Sequence, residues 1–133
     1  MDNLSVISYN PTGLNAERQE YIHDILSEER IDIMLLQETW LYKSESKLLD
    51  NIHKMYTSCA ISGMDETQEI RQGRKYGGVG IMWHSRISKS VRTYSNHSKR
   101  MCGITITLDN EQTLFILNVY LPCDNYRQTQ ADE

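Results

Sequence analysis

The first legible pattern is Leu4-Ser5-Val6-Ile7-Ser8-Tyr9, where apolar and polar side chains largely alternate before Asn10-Pro11-Thr12-Gly13. Alternation with a period of two marks a strand with one buried face, and a proline and a glycine within four residues mark the turn that ends it. The period then changes. Ile22, Ile25 and Leu26 fall on one stripe of a helix. Asn15 is placed to cap that helix, and Glu17 and Glu20 suit its positive N-terminal end. These signals predict a helix from Ala16 to Glu29. Ile31-Asp32-Ile33-Met34-Leu35-Leu36 follows, a nearly continuous apolar run that stops at Gln37-Glu38-Thr39, and it predicts a strand covered on both faces. Such a strand, helix, strand unit is normally parallel and right-handed, so both strands end at one edge of the sheet. Asn10 and Glu38 are therefore expected as neighbours, at the edge where open α/β sheets carry their sites.

A shorter stripe of Leu48, Leu49 and Ile52 predicts a second helix through Ser44 to Lys54. After it the pattern turns to β. Tyr56 to Ile61 and Gly77 to Trp83 read as strands on either side of a polar loop from Gly63 to Lys75, and both are expected in one meander with Ser90 to Tyr94. Cys102 to Leu108 alternates cleanly, Asp109-Asn110-Glu111 makes a hairpin turn, and Thr113 to Leu121 supplies the partner strand, which Pro122 ends. Asn118 and Tyr120 are polar groups near that strand's end, and beyond Asp124 the chain reads as the start of a helix.

Composition narrows the class. With 133 residues, 39% hydrophobic and 24% charged, the chain fits one globular domain, and 7 glycines and 2 prolines exclude collagen-like and wholly disordered readings. No apolar run is long enough to cross a bilayer, and no basic start precedes an apolar stretch, so neither a membrane partner nor a signal peptide is expected. Cys59, Cys102 and Cys123 are odd in number and lack Cys-x-x-Cys spacing, which argues against a disulfide framework or a structural zinc site. An intracellular location, in nucleus or cytoplasm, is the simplest expectation.

The net charge of −4 hides an asymmetry. Arg71, Arg74, Lys75, Arg86, Lys89, Arg92, Lys99 and Arg100 occur without an intervening Asp or Glu, whereas the other 103 residues carry 6 basic and 18 acidic side chains. Tyr76, Trp83 and Tyr94 lie within the basic segment. Basic and aromatic side chains interleaved in this way suit phosphate contacts beside base or sugar stacking, and Arg74, Lys75 and Tyr76 are candidate nucleic-acid contacts. A solvated strand face gives the same composition without a ligand.

Four segments in order resemble the endonuclease/exonuclease/phosphatase superfamily, which includes deoxyribonuclease I and exonuclease III-type apurinic endonucleases: Ser8-Tyr9-Asn10-Pro11-Thr12-Gly13-Leu14, Leu36-Gln37-Glu38-Thr39-Trp40, Gly77-Gly78-Val79-Gly80-Ile81 and Asn118-Val119-Tyr120-Leu121-Pro122. The nearest flavour is the endonuclease domain of non-LTR retrotransposons. The resemblance implies the first half of a four-layer α/β/β/α sandwich, with a mixed sheet and two helices on one face. It implies a divalent cation, Mg²⁺ or Mn²⁺, with Glu38 as ligating carboxylate and Asn10 helping to hold the metal and the scissile phosphate. Tyr120 would contact the phosphate, which makes Asn10, Glu38 and Tyr120 the catalytic candidates. A hard cation that keeps waters and takes one or two carboxylates agrees with a single Glu on a strand end.

The family's second half supplies an Asp-x-Asn pair and a terminal Asp-His pair, and neither occurs in these 133 residues. Thr12 and Cys123 depart from the residues common in the family at those positions. The reading that follows is the N-terminal half of a Mg²⁺-dependent DNA endonuclease, inactive as this fragment. The alternatives are a non-catalytic nucleic-acid or protein binder, or half of a phosphatase or phosphodiesterase of the same superfamily. An open apolar face on the first sheet is expected to favour self-association. Outside the resemblance, Asn10 is a turn former, Glu38 a solvated strand end, Tyr120 a half-buried strand aromatic, and the four histidines are surface groups without ligand spacing.

Overall fold

In the computed structural model of the chain, which describes residues 3–64, 75–94 and 96–121, the Asn15 side-chain oxygen accepts the Arg18 amide at 2.8 Å. Helix α1 runs over Ala16–Glu28 from that cap and buries Ile22 and Leu26. Strand β1 (Val6–Tyr9) lies parallel to β2 (Ile33–Gln37), with Tyr9 opposite Leu36. The predicted strand, helix, strand unit is therefore present, and Ile33, Met34 and Leu36 of β2 are fully buried.

The segment predicted as a second α-helix forms a 3-10 helix over Lys43–Asn51. Its apolar stripe is short and Leu49 is its one buried residue, so little packing enforces an α-helical register. The Glu45 side chain accepts the Tyr42 amide at 3.0 Å and fixes the start. Strand β3 (Tyr56–Ile61) and β4 (Val79–His84) are antiparallel, and β4 also pairs with β2, which gives the order β1-β2-β4-β3. Gly77 and Gly78, expected within β4, precede it, because their φ values of 65° and 93° are incompatible with a strand.

The expected meander through Tyr94 is overturned. A 3-10 turn, Ser85–Ser90, leads away from the first sheet, and β5 (Val91–Tyr94) pairs with β6 (Met101–Thr107), which pairs with β7 (Thr113–Val119). The reason is topological: β2 and β3 occupy both edges of β4, so β5 has no free edge beside it. The segment beyond Asp124 lies outside the described residues.

Alternation along β4 sends Met82 toward α1 and Val79, Ile81 and Trp83 toward the second sheet. One core, with Ile22, Leu26, Met34, Leu36, Leu49 and Met82, lies under the helices. The other, with Ile33, Ile81, Trp83, Cys102, Ile104 and Ile106, lies between the sheets. The layers are thus helices, mixed sheet, antiparallel sheet. This corrects the expectation that the first sheet is left open, since the second sheet covers it from within the same chain. The bare apolar surface is instead the outer face of the second sheet, where Tyr94, Phe115, Leu117 and Val119 are exposed. Tyr94 and Phe115 meet there edge to face at 5.1 Å, flanking Gly103.

Candidate functional site

Parallel pairing of β1 with β2 brings their following residues together. The Asn10 amide nitrogen donates to Glu38 Oε2 at 2.7 Å, while Asn10 Oδ1 accepts the Thr12 backbone amide at 3.0 Å and the Thr12 hydroxyl at 3.3 Å. Each polar atom of the Asn10 side chain is thereby engaged, and the group fixes one carboxylate oxygen of Glu38 in place. The backbones are joined as well. Gly13 N donates to Glu38 O at 2.8 Å, and Leu14 N to Thr39 O at 3.2 Å.

A third loop closes the edge. Thr39 N donates to Gly78 O at 3.2 Å and Trp40 N to Gly77 O at 2.9 Å. Gly78 is required there: a Cβ would stand 2.3 Å from Thr39 Oγ1, on a backbone with φ +93°. Gly13 is pinned in the same way beneath the Trp40 ring. Thr12, Glu38 and Trp40 also take left-handed φ values of 53°, 54° and 59°. Left-handed backbone at residues with side chains is uncommon and clusters at functional sites, where the surroundings impose it.

The fourth contribution is Asn118, from β7. It is 2% exposed and bridges the two sheets. Its Nδ2 donates to Leu36 O and Gly80 O, both at 2.9 Å, and its Oδ1 accepts from Gln37 Nε2 at 2.8 Å. Gln37 Nε2 also donates to Ser8 Oγ at 3.0 Å. A polar chain therefore runs from β1 through β2 to β7 directly beneath Glu38. Sequence reading had placed Asn118 only near a strand end. Its inward phase, shared with Ile116, is the signal that marks it as a buried polar group needing partners.

Tyr120 reaches the same edge. Half-buried, it donates its backbone amide to Arg100 O at 2.8 Å. Together with Gly63, Tyr76, Gly77, Lys99 and Arg100 it lines a cavity of about 320 Å³. Tyr76 is 48% exposed, and the Lys75 ammonium sits 4.8 Å above the Tyr42 ring. Arg74 lies outside the described residues. Among the described residues, the basic side chains of this segment do not form one surface. Lys75, Lys99 and Arg100 stand at the Glu38 edge, whereas Arg86 stands at the opposite edge and donates its Nε to Asp32 Oδ1 at 2.6 Å.

Among the described residues no three His, Cys, Asp or Glu side chains cluster around a common metal position. The donor set at the edge is one carboxylate oriented by one amide, with hydroxyls nearby. Hard oxygen atoms of this kind fit a Mg²⁺ or Mn²⁺ ion that retains waters and takes its remaining ligands elsewhere. Asn10, with its oxygen turned to Thr12, would act on such an ion only through Glu38. The histidines are not simply dispersed on the surface: His53 stacks on His23 at 5.0 Å and meets Tyr56 edge-on at 5.0 Å, and Tyr56 meets His84 at 5.1 Å. This ladder lies away from Glu38, at the far edge.

Solved structures share the fold. A variant of the 3′ phosphatase NExo from Neisseria, bound to product DNA hairpin, is 18% identical with a TM-score of 0.58, covering 94% of this chain and 47% of that one. The APE2 catalytic domain of Xenopus laevis is 20% identical with a TM-score of 0.57, covering 95% and 48%. The human Nocturnin catalytic domain with bound sulfate is 13% identical with a TM-score of 0.54, covering 86% and 48%. The chain thus spans about half the length of the structures it matches. No curated protein matches it in sequence. The layered sheets, the Asn10–Glu38 edge and a sequence match over residues 3–133 place the chain in the Endonuclease/Exonuclease/phosphatase family.

Proposed function

We propose that this chain is the N-terminal half of a Mg²⁺- or Mn²⁺-dependent DNA endonuclease that nicks one strand by water attack at phosphorus, leaving a 3′-hydroxyl, as in non-LTR retrotransposons. The observation that carries the reading is the Glu38 carboxylate, held by Asn10 at 2.7 Å where three loops meet. Family members generally depend on a divalent metal, and Glu38 is the group that would hold it. When bound, the cation supplies charge stabilisation at a phosphoryl oxygen and a lowered water pKa. Asn10 orients Glu38. Tyr120 donates to a phosphate oxygen where charge develops. Lys75 and Tyr76, with Arg74, track the DNA backbone.

Among the described residues no group to activate water is found near Glu38, and the reading assigns that task to the second half of the domain. The 133-residue chain alone is therefore expected to leave supercoiled plasmid intact at millimolar Mg²⁺. Joined to a second half that carries Asp-x-Asn and Asp-His pairs, it should nick, and Glu38→Gln should abolish that nicking while leaving the fold unchanged. Persistent nicking by the substituted protein would refute the metal assignment.

A second reading, a nucleic-acid binder without catalysis, is favoured by Lys99, Arg100 and Tyr76 around the Tyr120 cavity. Replacing Lys75 and Lys99 with Ala should flatten the salt dependence of DNA binding by about 2 units of slope. An unchanged slope would mean that these side chains only solvate the edge.

A further inference from the structure

Cys59 and Cys102 belong to different sheets and share one core. Cys59, half-buried, lies opposite Ile81 on the inner face of β3. Cys102, 2% exposed, lies opposite Asn118 on the inner face of β6. Both pack in the cluster between the sheets. Cα atoms of β3 and β6 come within 8 Å of one another, nearer than the roughly 10 Å usual for sheets packed face to face. The two side chains point into the same gap, close enough for each to shift the ionisation of the other. A disulfide requires facing side chains on backbones that need little movement, and this corner of the sandwich offers both.

We propose that Cys59 and Cys102 form a redox-sensitive pair, which hydrogen peroxide converts into a disulfide joining the two sheets. The environment divides the roles. The Cys102 side chain, helped by the Ile81 amide and opposed by burial, holds the Cys59 thiol below its ordinary range; Cys59 together with burial pushes Cys102 up. Cys59 is thus both the more accessible thiol and the one more readily ionised. Its thiolate attacks one peroxide oxygen, so that an S–O bond forms, the O–O bond breaks and hydroxide leaves. The Cys102 sulfur then attacks the Cys59 sulfenic acid. The S–S bond forms, the S–O bond breaks, and the hydroxyl departs as water with the Cys102 proton. Overall two thiols lose two electrons, and the peroxide is reduced to two waters.

The bond would stand beside Asn118, which already ties the sheets together through Leu36, Gly80 and Gln37 and lies opposite Cys102 across β6 and β7. Oxidation therefore adds a covalent link next to a polar one and leaves Glu38 and Asn10 untouched.

The test is to titrate the reduced 133-residue protein with hydrogen peroxide, block remaining thiols, and map peptides by mass spectrometry without reductant. A Cys59–Cys102 peptide is expected as the dominant disulfide, formed within a monomer and reversed by dithiothreitol. Linking preformed sheets across this long loop should raise the melting temperature by roughly 10 °C. Cys123→Ala should leave the link intact, and Cys59→Ala should leave Cys102 reduced. The proposal is overturned if Cys59 and Cys102 stay free after Cys123 has oxidised, if Cys123 is a partner in the main disulfide, or if the linked form melts no higher than the reduced one.

Discussion

At the edge where β1 and β2 end, Thr12, Glu38 and Trp40 hold left-handed backbone, and Thr39 Oγ1 and Trp40 Nε1 are buried without a hydrogen bond among the described residues. At the opposite edge the left-handed non-glycine residue is Glu111, in the β6–β7 turn. There Asp32, whose side chain is 4% exposed, accepts the Ser5 amide at 2.9 Å and Arg86 Nε at 2.6 Å. Arg86 Nη2 and the Tyr56 hydroxyl both donate to Ile31 O. One edge carries three left-handed residues and half-exposed polar groups; the other carries one, and pairs Asp32 with Arg86 and Ser5, although Ser88 Oγ there is also buried without a hydrogen bond among the described residues. Each left-handed non-glycine residue costs on the order of 1 kcal/mol, so the far edge and the two cores must offset what the near edge spends on geometry. Left-handed backbone at one edge and an ion pair at the other let a small domain hold the partly exposed Glu38 carboxylate in a fixed position.

That contrast can be broken most severely from the far edge. Asp32→Ala leaves Arg86 without its carboxylate and should cost about 3–5 kcal/mol in a urea denaturation experiment; a loss under about 1 kcal/mol would mean that this pair does not anchor the fold. The pH dependence has a definite sign. Burial alone would raise the Asp32 carboxyl, but the Ser5 amide, the Arg86 guanidinium and the Ser5 hydroxyl together hold it below its usual 3.8. Its contribution is therefore fully present at neutral pH and is lost as the pH falls below about 3.8. The Ala variant should lack that part of the acid decline.

From the near edge, Gly78→Ala forces a Cβ to within 2.3 Å of Thr39 Oγ1 on a left-handed backbone, and should cost about 2–3 kcal/mol. Circular dichroism melts would measure it. A neutral result would show that the loops over Glu38 yield easily. A smaller effect is expected from the histidine ladder. Burial, then His23 and Lys54, lower the His53 pKa, while burial and Arg86 lower that of His84. Both rings are favoured neutral in the fold, so stability should decline as the pH falls through 6.5, and His53→Gln should make that decline shallower. Smallest of all, Glu38→Gln should change stability by less than about 0.5 kcal/mol, because the side chain is partly exposed and its one bond accepts from a neutral amide. A large loss would move Glu38 from the strained edge into the structural framework.

Much of this was legible in the sequence because each part has a local cause. Alternation gave β6, the Asp109-Asn110-Glu111 turn gave its partner β7, the 3.6-residue stripe and Asn15 gave α1, and the connection of two strands by a helix brought Asn10 beside Glu38. What escaped depends on distant choices. That β5 leaves the first sheet follows from the insertion of β4 between β2 and β3, which no window around residues 91–94 contains. The left-handed turn at Glu38 is imposed by Gly13, Gly77 and Gly78 from other loops. Nor does the run of basic residues reveal that Lys75 and Arg86 stand at opposite edges, since β4 carries the chain from one edge to the other.

The bonds made by Asn118 also bear on the order of folding. They span 81 residues to Gln37 and 82 to Leu36, so no nascent hairpin or helix can form them, and the entropy of closing so long a loop must be met before they contribute. Helix α1, with its own cap, and the β6–β7 hairpin can form early from neighbouring residues. The floor beneath Glu38 becomes ordered only after both sheets have docked. Conditions that slow sheet docking should therefore delay order at residues 36–40 beyond that of α1, a lag visible as late amide protection in pulse-labelled hydrogen exchange.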